Sequence, residues 1–220
     1  MDQNTFAHFS EELIRESESF NYPLSSEKVN KLLEYLSIFA KWNKTYNLSA
    51  IRQPEEMLSK HLLDSLSIAP FLAKEGTGER FIDVGTGGGL PGIPMAICFP
   101  EKSFTLLDSA GKKTRFLFQV KQALKLDNVT VENRRVESFQ PDQLFDGVIS
   151  RAFASLKDMT DGCSHLLKKN GRFWAMKGVM PKDELSELAK HYIVDACHEL
   201  RVPGNIGERC LVLLKSDRTD

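Results

Sequence analysis

Strand-like and helix-like segments alternate along the chain from residue 80 onward, and this alternation restricts the fold more than any other feature. Strands are predicted over residues 80–84, 103–108, 128–132, 145–150 and 172–177. Helices are predicted over residues 93–99, 112–126, 156–167 and 182–190, with Asn170-Gly171 as the stop signal after the third. Short strands that alternate with helices are typical of a doubly wound α/β domain with a mostly parallel sheet.

The end of the chain predicts two further strands, "HYIVDACHEL" (residues 191–200) and "RCLVLLK" (209–215), joined by a turn at Pro203-Gly204-Asn205. Such an ending adds an antiparallel edge to a parallel sheet. An ordinary dinucleotide-binding fold gives no reason to expect it, whereas class I methyltransferases dependent on S-adenosylmethionine (SAM) have an antiparallel seventh strand. The fold class predicted is therefore α/β of that type, with a Rossmann-like seven-stranded sheet.

The first 79 residues have a helical pattern and are expected to form an N-terminal extension to the domain of residues 80–220. Ser25 or Ser26 can cap a helix that runs to about residue 41, and Pro54 begins another. The apolar stripe of the first helix consists of Val29, Leu32, Leu33, Leu36 and Phe39. Residues 75–78, "EGTG", form the predicted linker, and the two parts are expected to make one compact unit.

The glycine-rich stretch "DVGTGGGLPG" (residues 83–92) follows the first predicted strand and fits two ligands. Counted from Asp83, its glycines are Gly85, Gly87 and Gly89, a spacing that suits SAM. Counted from Gly87, Gly89 and Gly92 complete the Gly-x-Gly-x-x-Gly fingerprint of dinucleotide binding. An acid beside the loop suits the SAM ammonium and disfavours a pyrophosphate, so Asp83 points to SAM. A purely structural role for Asp83, in bonding the loop amides, stays open.

Further candidate residues follow the next strands. Asp108 ends the second strand and can hold ribose hydroxyls of either NAD or SAM. Val136 and Glu137 follow the third strand, where a methyltransferase places its adenine contacts. Glu137 can equally be a solvated acid at a helix start.

The segment after the fourth strand, "ISRAFAS" (residues 149–155), is informative because of what it lacks. It has neither a cysteine nucleophile nor the Asn/Asp-Pro-Pro-aromatic motif of adenine amino-methyltransferases. Arg151 and Phe153 remain, to contact the cofactor and to stack on a base, although Phe153 can also be plain core. Guanine nitrogen-7 carries a lone pair and no proton, so its methylation needs alignment and no general base. This reaction suits the segment, and no catalytic residue is predicted.

The charge of the chain is unevenly placed. The formal net charge is -1, but residues 80–220 hold 21 Lys/Arg against 18 Asp/Glu, and residues 1–79 hold 8 against 12. Seven basic residues lie between 111 and 135: Lys112, Lys113, Arg115, Lys121, Lys125, Arg134 and Arg135. Because phosphate binding responds to local charge, an RNA-binding face and an ordinary solvated face both fit this stretch.

Four widely spaced cysteines, with no metal-binding pattern, predict no metal site and a reducing compartment. Neither a signal peptide nor an apolar run of about 18 residues is present, so a cytoplasmic protein without a membrane span is expected.

Several blocks resemble the bacterial RsmG family, also called glucose-inhibited division protein B. They are "WNKTYNLSAI" (42–51), "KHLLDSLS" (60–67), "FIDVGTGGGLPGIPMAI" (81–97), "FTLLDS…GKKTRFL" (104–117), "NRRVESF" (133–139) and "FDGVISRAFASL" (145–156). The resemblance covers residue 25 to the C-terminus. It implies a cytoplasmic methyltransferase that uses SAM to methylate nitrogen-7 of guanine 527 in 16S rRNA.

The same resemblance assigns cofactor contacts to Gly85, Leu90, Val136, Glu137 and Arg151. The chain has Gly88 where many relatives have Pro or Ala, which affects loop stiffness without removing an expected side-chain contact. Candidate RNA-binding residues are Arg52, Lys60, His61, Lys112, Lys113 and Phe153, with a packing role for His61 left open. Small-subunit rRNA or the 30S subunit is the expected partner of a monomer.

Three alternatives stay open at this point. A 2′-O-ribose RNA methyltransferase would use Lys177 as its base. An NAD-dependent oxidoreductase would use the second glycine register, and a non-catalytic module would bind SAM or RNA without transfer.

Overall fold

A computed structural model describes residues 6–186, 188, 192–204 and 207–216. Its seven strands form one sheet in the order β3-β2-β1-β4-β5-β7-β6. The strands are β1 (Arg80–Val84), β2 (Ser103–Leu107), β3 (Val129–Glu132), β4 (Phe145–Ser150), β5 (Leu167–Lys177), β6 (Tyr192–Glu199) and β7 (Cys210–Ser216). β7 is antiparallel to both β5 and β6, and the other pairs are parallel. The predicted seven-stranded sheet with an antiparallel seventh strand is confirmed, but β7 lies between β5 and β6, so the expectation of an antiparallel strand at the edge was wrong.

Nine α-helices are assigned in the described part of the chain. Those before the sheet are α1 (Ser10–Ser19), α2 (Ser26–Tyr46), α3 (Pro54–Met57), α4 (Asp64–Leu66) and α5 (Ala69–Glu75), with a π-helical segment (Leu58–Leu63) between α3 and α4. Those within the sheet region are α6 (Gly92–Cys98), α7 (Gly111–Leu124), α8 (Leu156–Cys163) and α9 (Lys182–Ser186). No helix of the described residues is both long and apolar enough to cross a bilayer.

Side chains that alternate along the strands divide the hydrophobic core into two layers. Phe81 of β1 and Leu213 of β7 belong to one cluster, while their neighbours Ile82 and Leu214 belong to the other. The helices before the sheet, together with α6 and α7, cover the first layer. Helix α8 covers the second layer. A strand with apolar side chains on both sides is typical of a sheet covered on both faces.

Helix α2 is longer than predicted and reaches Tyr46 instead of residue 41. Ser25 caps its start by accepting a hydrogen bond from the Lys28 amide at 3.3 Å, as expected. It ends where Asn47 takes a left-handed conformation with φ of 51°. Asn is one of the few residues that adopt this conformation readily, so Asn47 was the stop signal.

Strand β5 begins at Leu167, five residues earlier than predicted. Phe145 of β4 pairs with Leu167, and Gly147 pairs with Arg172, so the pairing register shifts between them. The Asn170-Gly171 turn signal therefore lies in an irregular part of the strand and does not stop a helix. The preceding helix α8 ends at Cys163, followed by a 3₁₀ turn (Ser164–Leu166).

Some predicted segments extend beyond the described residues. Of the helix predicted at 182–190, α9 covers Lys182–Ser186, and residues 187, 189 and 190 lie outside the description. The same is true of residue 191 in the predicted first closing strand and of Asn205 in the predicted turn.

Candidate functional site

The loop after β1 takes its shape from three glycines in the left-handed region. Gly85, Gly87 and Gly89 have φ values of 70°, 61° and 87°, which L side chains rarely adopt. Gly92 has no such φ, and a Cβ there would lie 2.2 Å from Leu106 Cδ2. The spacing counted from Asp83 therefore identifies the glycines that shape the loop, while Gly92 allows α6 to pack closely on β2.

Asp83 is buried beneath this loop. Its Oδ2 accepts hydrogen bonds from Thr86 Oγ1 at 2.7 Å and from the Gly92 amide at 2.8 Å. Its Oδ1 is buried and has no partner. Burial raises the pKa of this carboxyl group to about 6, against which the two hydrogen bonds act. One oxygen thus holds the loop, and the other can accept a hydrogen bond from a cationic ligand.

Asp108 connects the loop to the start of α7. Its Oδ2 accepts from the Gly87 amide at 2.9 Å and lies 3.5 Å from Lys113 Nζ, while its Oδ1 accepts from the Ala110 amide at 2.9 Å. A carboxylate offers about four acceptor positions, so one remains for a ligand hydroxyl. Asp108 therefore lies beside the glycine loop, and its role as a ribose-binding acid stays a prediction.

Arg151, at the end of β4, is held by a residue that the sequence analysis missed. Its Nη1 donates a hydrogen bond to Asp64 Oδ2 at 2.7 Å, and Arg209 Nε donates to Asp64 Oδ1 at 2.9 Å. The Asp64 side chain is only 6% exposed. The available signal was a single carboxylate among the leucines of "HLLDSLS" (residues 61–67), because a buried charge needs a partner.

A pocket opens between the glycine loop and the N-terminal helices. Its wall consists of Phe39, Leu48, Ser49, His61, Gly85, Thr86, Gly87, Gly88, Leu90, Arg151 and Ala152. Five predicted site residues meet there: His61, Gly85, Gly87, Leu90 and Arg151. The N-terminal extension thus supplies one side of the pocket and the loops after β1 and β4 supply the other.

His61 lies in the π-helical segment, a distortion that is frequent at functional sites. Its Nε2 is 3.0 Å from Ser49 Oγ, and its ring packs edge-on against Phe39 with centroids 5.2 Å apart. Burial, followed by the charge of Arg151, lowers the pKa of the imidazole to about 4. His61 is therefore neutral at pH 7.

Gly88 packs against Phe39 in the pocket wall. A Cβ at Gly88 would lie 2.3 Å from Phe39 Cε2, and the Gly88 carbonyl accepts a hydrogen bond from Tyr35 Oη at 2.6 Å. Burial raises the pKa of Tyr35, which keeps this phenol protonated as the donor. The absence of a side chain at Gly88 therefore makes room for the Phe39 ring.

Val136, Glu137 and Phe153 do not line this pocket. Val136 and Glu137 lie in a 3₁₀ turn after β3, where Val136 packs against the second layer of the core and Glu137 is exposed. This turn lies at the same edge of the sheet as the glycine loop, because both follow the carboxyl ends of parallel strands. Phe153 is half-buried, with its Cε1 3.8 Å from where a Cβ on Gly162 of α8 would be.

Two predicted RNA-binding residues of the N-terminal extension make contacts within the chain. Arg52 donates hydrogen bonds to the Asn43 carbonyl at 3.3 Å and to Asn47 Oδ1. Lys60 pairs with Glu56 at 2.5 Å on the surface of α3 and the π-helical segment. Neither side chain lines the pocket.

The other two lie in the first turn of α7. Lys112 is exposed, and its Nζ donates to the Tyr46 carbonyl at 3.3 Å. Lys113 pairs with Asp108 and lies near Gly87, where a Cβ would be 3.9 Å from its Nζ. No cluster of three or more His, Cys, Asp or Glu side chains suited to a metal ion occurs among the described residues.

Solved structures of low identity share this fold. The N-methyltransferase NodS from Bradyrhizobium japonicum, in complex with S-adenosyl-L-homocysteine, aligns with a TM-score of 0.57 at 12% identity, covering 84% of this chain and 98% of its own. A ribosomal protein L11 methylase from Lactobacillus delbrueckii subsp. bulgaricus aligns with a TM-score of 0.54 at 13% identity, covering 70% and 79%. The fold is that of class I SAM-dependent methyltransferases.

Sequence relatives define the family. The GidB family model, described as rRNA small subunit methyltransferase G, matches residues 28–212. Proteins called ribosomal RNA small subunit methyltransferase G from Saccharophagus degradans and Stutzerimonas stutzeri are 67% and 53% identical over 206 residues. These matches cover 94% of this chain and 91% and 95% of the two relatives. The chain therefore belongs to the GidB family, rRNA small subunit methyltransferase G, and is a SAM-dependent rRNA methyltransferase.

Proposed function

We propose that the protein methylates nitrogen-7 of guanine 527 in small-subunit rRNA. The observation that carries this proposal is a pocket wall without an effective general base. Apart from backbone and apolar groups, it offers the hydroxyls of Ser49 and Thr86, the imidazole of His61 and the guanidinium of Arg151. A base with a pKa of about 4 is too weak to remove a proton efficiently at pH 7, and the guanidinium of Arg151 offers hydrogen-bond donors only.

Guanine nitrogen-7 needs no such base, because its lone pair is available at neutral pH. When bound, SAM would supply a methyl group on a positively charged sulfur. The N7 lone pair forms a bond to the methyl carbon as the carbon–sulfur bond breaks, and the sulfur keeps that electron pair and leaves as the neutral thioether of S-adenosylhomocysteine. The chain has to align the guanine with that methyl group and exclude water. The N-terminal helices and the glycine loop, which face each other across the pocket, are placed for both tasks.

The residues around the glycine loop fit SAM. Asp83 Oδ1 is a buried acceptor without a partner, which suits an ammonium group. The remaining acceptor position of Asp108 suits a ribose hydroxyl. Gly85 and Gly87 let the backbone approach the ligand closely, and we assign the adenine contacts to the turn that holds Val136 and Glu137.

The RNA contacts belong to the same proposal. Lys112 and Lys113 begin α7 beside the loop, and we assign further RNA contacts to Arg52 and Lys60 of the N-terminal region. His61 would meet the target base as a neutral group in the pocket wall. Phe153 would have to leave its packing on α8 to stack on a base, so its assignment has the least support.

Lys177, the base that a 2′-O-ribose mechanism would need, is engaged in packing the loop after β4. Its Nζ donates to the Ala154 carbonyl at 2.9 Å and pairs with Glu184 at 3.0 Å. Glu184 in turn accepts a hydrogen bond from the Leu156 amide at 2.7 Å. The N7 reaction explains the site without moving this lysine.

The methylated position can be tested by chemical cleavage. Small-subunit RNA is incubated with the protein and SAM, reduced with borohydride and treated with aniline, which breaks the strand at 7-methylguanosine. Primer extension should then stop next to guanine 527, and a transcript with adenine at that position should show no stop. A stop elsewhere, or methyl incorporation without cleavage, would contradict the proposal.

A further inference from the structure

One ring nitrogen of His61 lacks a hydrogen-bond partner among the residues that the structure describes. The side chain lines the pocket and is only 6% exposed. Its Nε2 lies 3.0 Å from Ser49 Oγ, whereas its Nδ1 is buried and unpaired. A buried polar atom without a partner costs free energy, so such an atom in a pocket wall indicates a ligand that pairs with it.

Hydrogen bonds around Ser49 determine which nitrogen of His61 carries the proton. Ser49 Oγ accepts from the Ile51 amide at 3.1 Å, and the Ser49 amide donates to Asn43 Oδ1 at 2.7 Å, so the residue is held at both groups. Within the described part of the chain, His61 Nε2 is the one acceptor placed for the Ser49 hydroxyl proton. Ser49 therefore donates to Nε2, and the neutral ring carries its own proton on Nδ1.

The ring of His61 is held in a fixed position and without charge. Phe39 packs edge-on against it, with centroids 5.2 Å apart. Burial, followed by the charge of Arg151, lowers the pKa of the imidazole to about 4. The Lys60 backbone acts against this shift, but it makes no hydrogen bond of normal geometry to Nδ1. The Nδ1–H group is therefore a donor on a neutral ring.

The other side-chain donors of the pocket wall are engaged or charged. The Thr86 hydroxyl donates to Asp83 at 2.7 Å, and the Ser49 hydroxyl donates to His61. The Arg151 guanidinium is tied to Asp64 through Nη1, and its remaining N–H groups carry positive charge. Of the side chains described in this wall, His61 alone offers a neutral and unpaired donor.

Nitrogen-7 by itself does not distinguish guanine from adenine, since both purines carry a lone pair there. They differ at the neighbouring position 6, where guanine has the acceptor O6 and adenine has an amino donor. A site that methylates guanine and rejects adenine therefore needs a hydrogen-bond donor that faces position 6. A group that donates to O6 leaves the N7 lone pair free to react.

The reaction also favours a donor without charge. Methylation of N7 moves positive charge from the sulfur of SAM to the purine ring. A cation beside O6 would oppose this movement, because like charges repel strongly in a pocket from which water is excluded. A neutral imidazole donates its hydrogen bond without that repulsion, so His61 suits the position better than Arg151.

We propose that His61 determines the specificity for guanine by donating a hydrogen bond from Nδ1 to O6 of the target base. Ser49 keeps the proton on Nδ1. With adenine in the pocket, two donors would face each other and Nδ1–H would stay unpaired, which costs a factor of roughly 10–100. This inference rests on the proposed function, since it names the group that recognises the base at the same site.

The test removes each partner of the hydrogen bond in turn. Small-subunit RNA is assembled by ligation with either guanine or 2-aminopurine at position 527, because 2-aminopurine keeps N7 and lacks O6. For each protein, kcat/KM is measured with both RNAs. The preference for guanine over 2-aminopurine should be about tenfold or more smaller in His61→Leu than in the wild type. The difference in N7 reactivity between the two bases is the same for both proteins and cancels.

Two further variants separate recognition from packing. His61→Asn places an amide nitrogen on Cγ, as Nδ1 is, so it should retain most of the preference for guanine. Ser49→Ala no longer fixes the proton on Nδ1, so it should lose part of the preference, and it serves as the test if His61→Leu does not fold. Calorimetric titration with SAM and thermal unfolding show whether each variant is folded and binds the cofactor.

An equal preference for guanine in the wild type and His61→Leu would overturn the inference and would assign O6 to another donor such as Arg151. Weaker SAM binding with an unchanged preference would overturn it too, since His61 would then contact the cofactor. Failure of the proposed function is a separate result. In that case the wild type would transfer no methyl group to N7 of guanine, and both proposals would fall together.

Discussion

Asp64 Oδ2 accepts a hydrogen bond from Arg151 Nη1 at 2.7 Å, across 87 residues of sequence. The second oxygen of Asp64 accepts from Arg209, so one buried carboxylate joins the N-terminal helices, the loop after β4 and the segment before β7. Arg151 lines the pocket, and Asp64 determines the direction in which its guanidinium points. The N-terminal extension therefore positions a residue of the pocket wall.

Replacing Asp64 by Asn should weaken SAM binding about tenfold, because Arg151 loses its charged partner. The free energy of unfolding should fall by about 3 kcal/mol, since two cations are left without their buried carboxylate. Calorimetric titration with SAM and thermal unfolding measure the two effects. Ser65→Ala, which removes only a hydrogen bond from Ser65 Oγ to the His61 carbonyl, is the matched control and should leave SAM affinity unchanged. Equal affinities for Asp64→Asn and the wild type would refute the positioning role.

Asp83 should make SAM binding depend on pH. Burial raises the pKa of its carboxyl group to about 6, and only the ionised form attracts the SAM ammonium. Affinity should therefore be constant above pH 7 and fall about tenfold per pH unit below pH 6. Asp83→Asn should bind SAM weakly and without this dependence. A wild-type affinity that does not change between pH 8 and pH 5 would count against the ammonium contact.

The same substitution should stabilise the protein when SAM is absent. A carboxyl group whose folded pKa is raised stabilises the fold only when protonated, so its contribution is lost as pH rises from about 4 to about 6. At pH 8 the raised pKa of Asp83 corresponds to a free energy of unfolding that is lower by about 3 kcal/mol. Asp83→Asn should thus unfold at a higher temperature than the wild type at pH 8, with the difference shrinking at pH 4. A lower melting temperature at pH 8 would show that the buried charge costs little.

The contact between Gly88 and Phe39 predicts coupled substitutions. Gly88→Ala should lower stability by about 1–3 kcal/mol, because the new methyl group collides with the buried ring of Phe39. Adding Phe39→Leu should recover part of that loss. The double variant should therefore lose about 1 kcal/mol less unfolding free energy than the two single variants lose together. Gly178→Ala, where a Cβ meets nothing within 4 Å, is the control. Additive effects in the denaturation curves would contradict the contact.

Local sequence patterns predicted the sheet and the glycine loop. They did not predict the contacts between residues that are far apart in the sequence. The alternation along the chain and the closing strands were sufficient for the fold class, and the spacing after Asp83 indicated the glycines that shape the loop. Asp64 and Arg209 are 145 residues apart, and nothing in their local sequences indicates that they meet. The start of β5 was missed because pairing with β4 overrides the turn preference of Asn170-Gly171.

The most direct test of the central claim is nucleoside analysis after methyl transfer. The protein is incubated with SAM labelled in its methyl group and with small-subunit RNA or 30S subunits, and the RNA is digested to nucleosides. The proposed function predicts that the label is recovered in 7-methylguanosine. Label in a 2′-O-methylated nucleoside, or no transfer to either substrate, would contradict it.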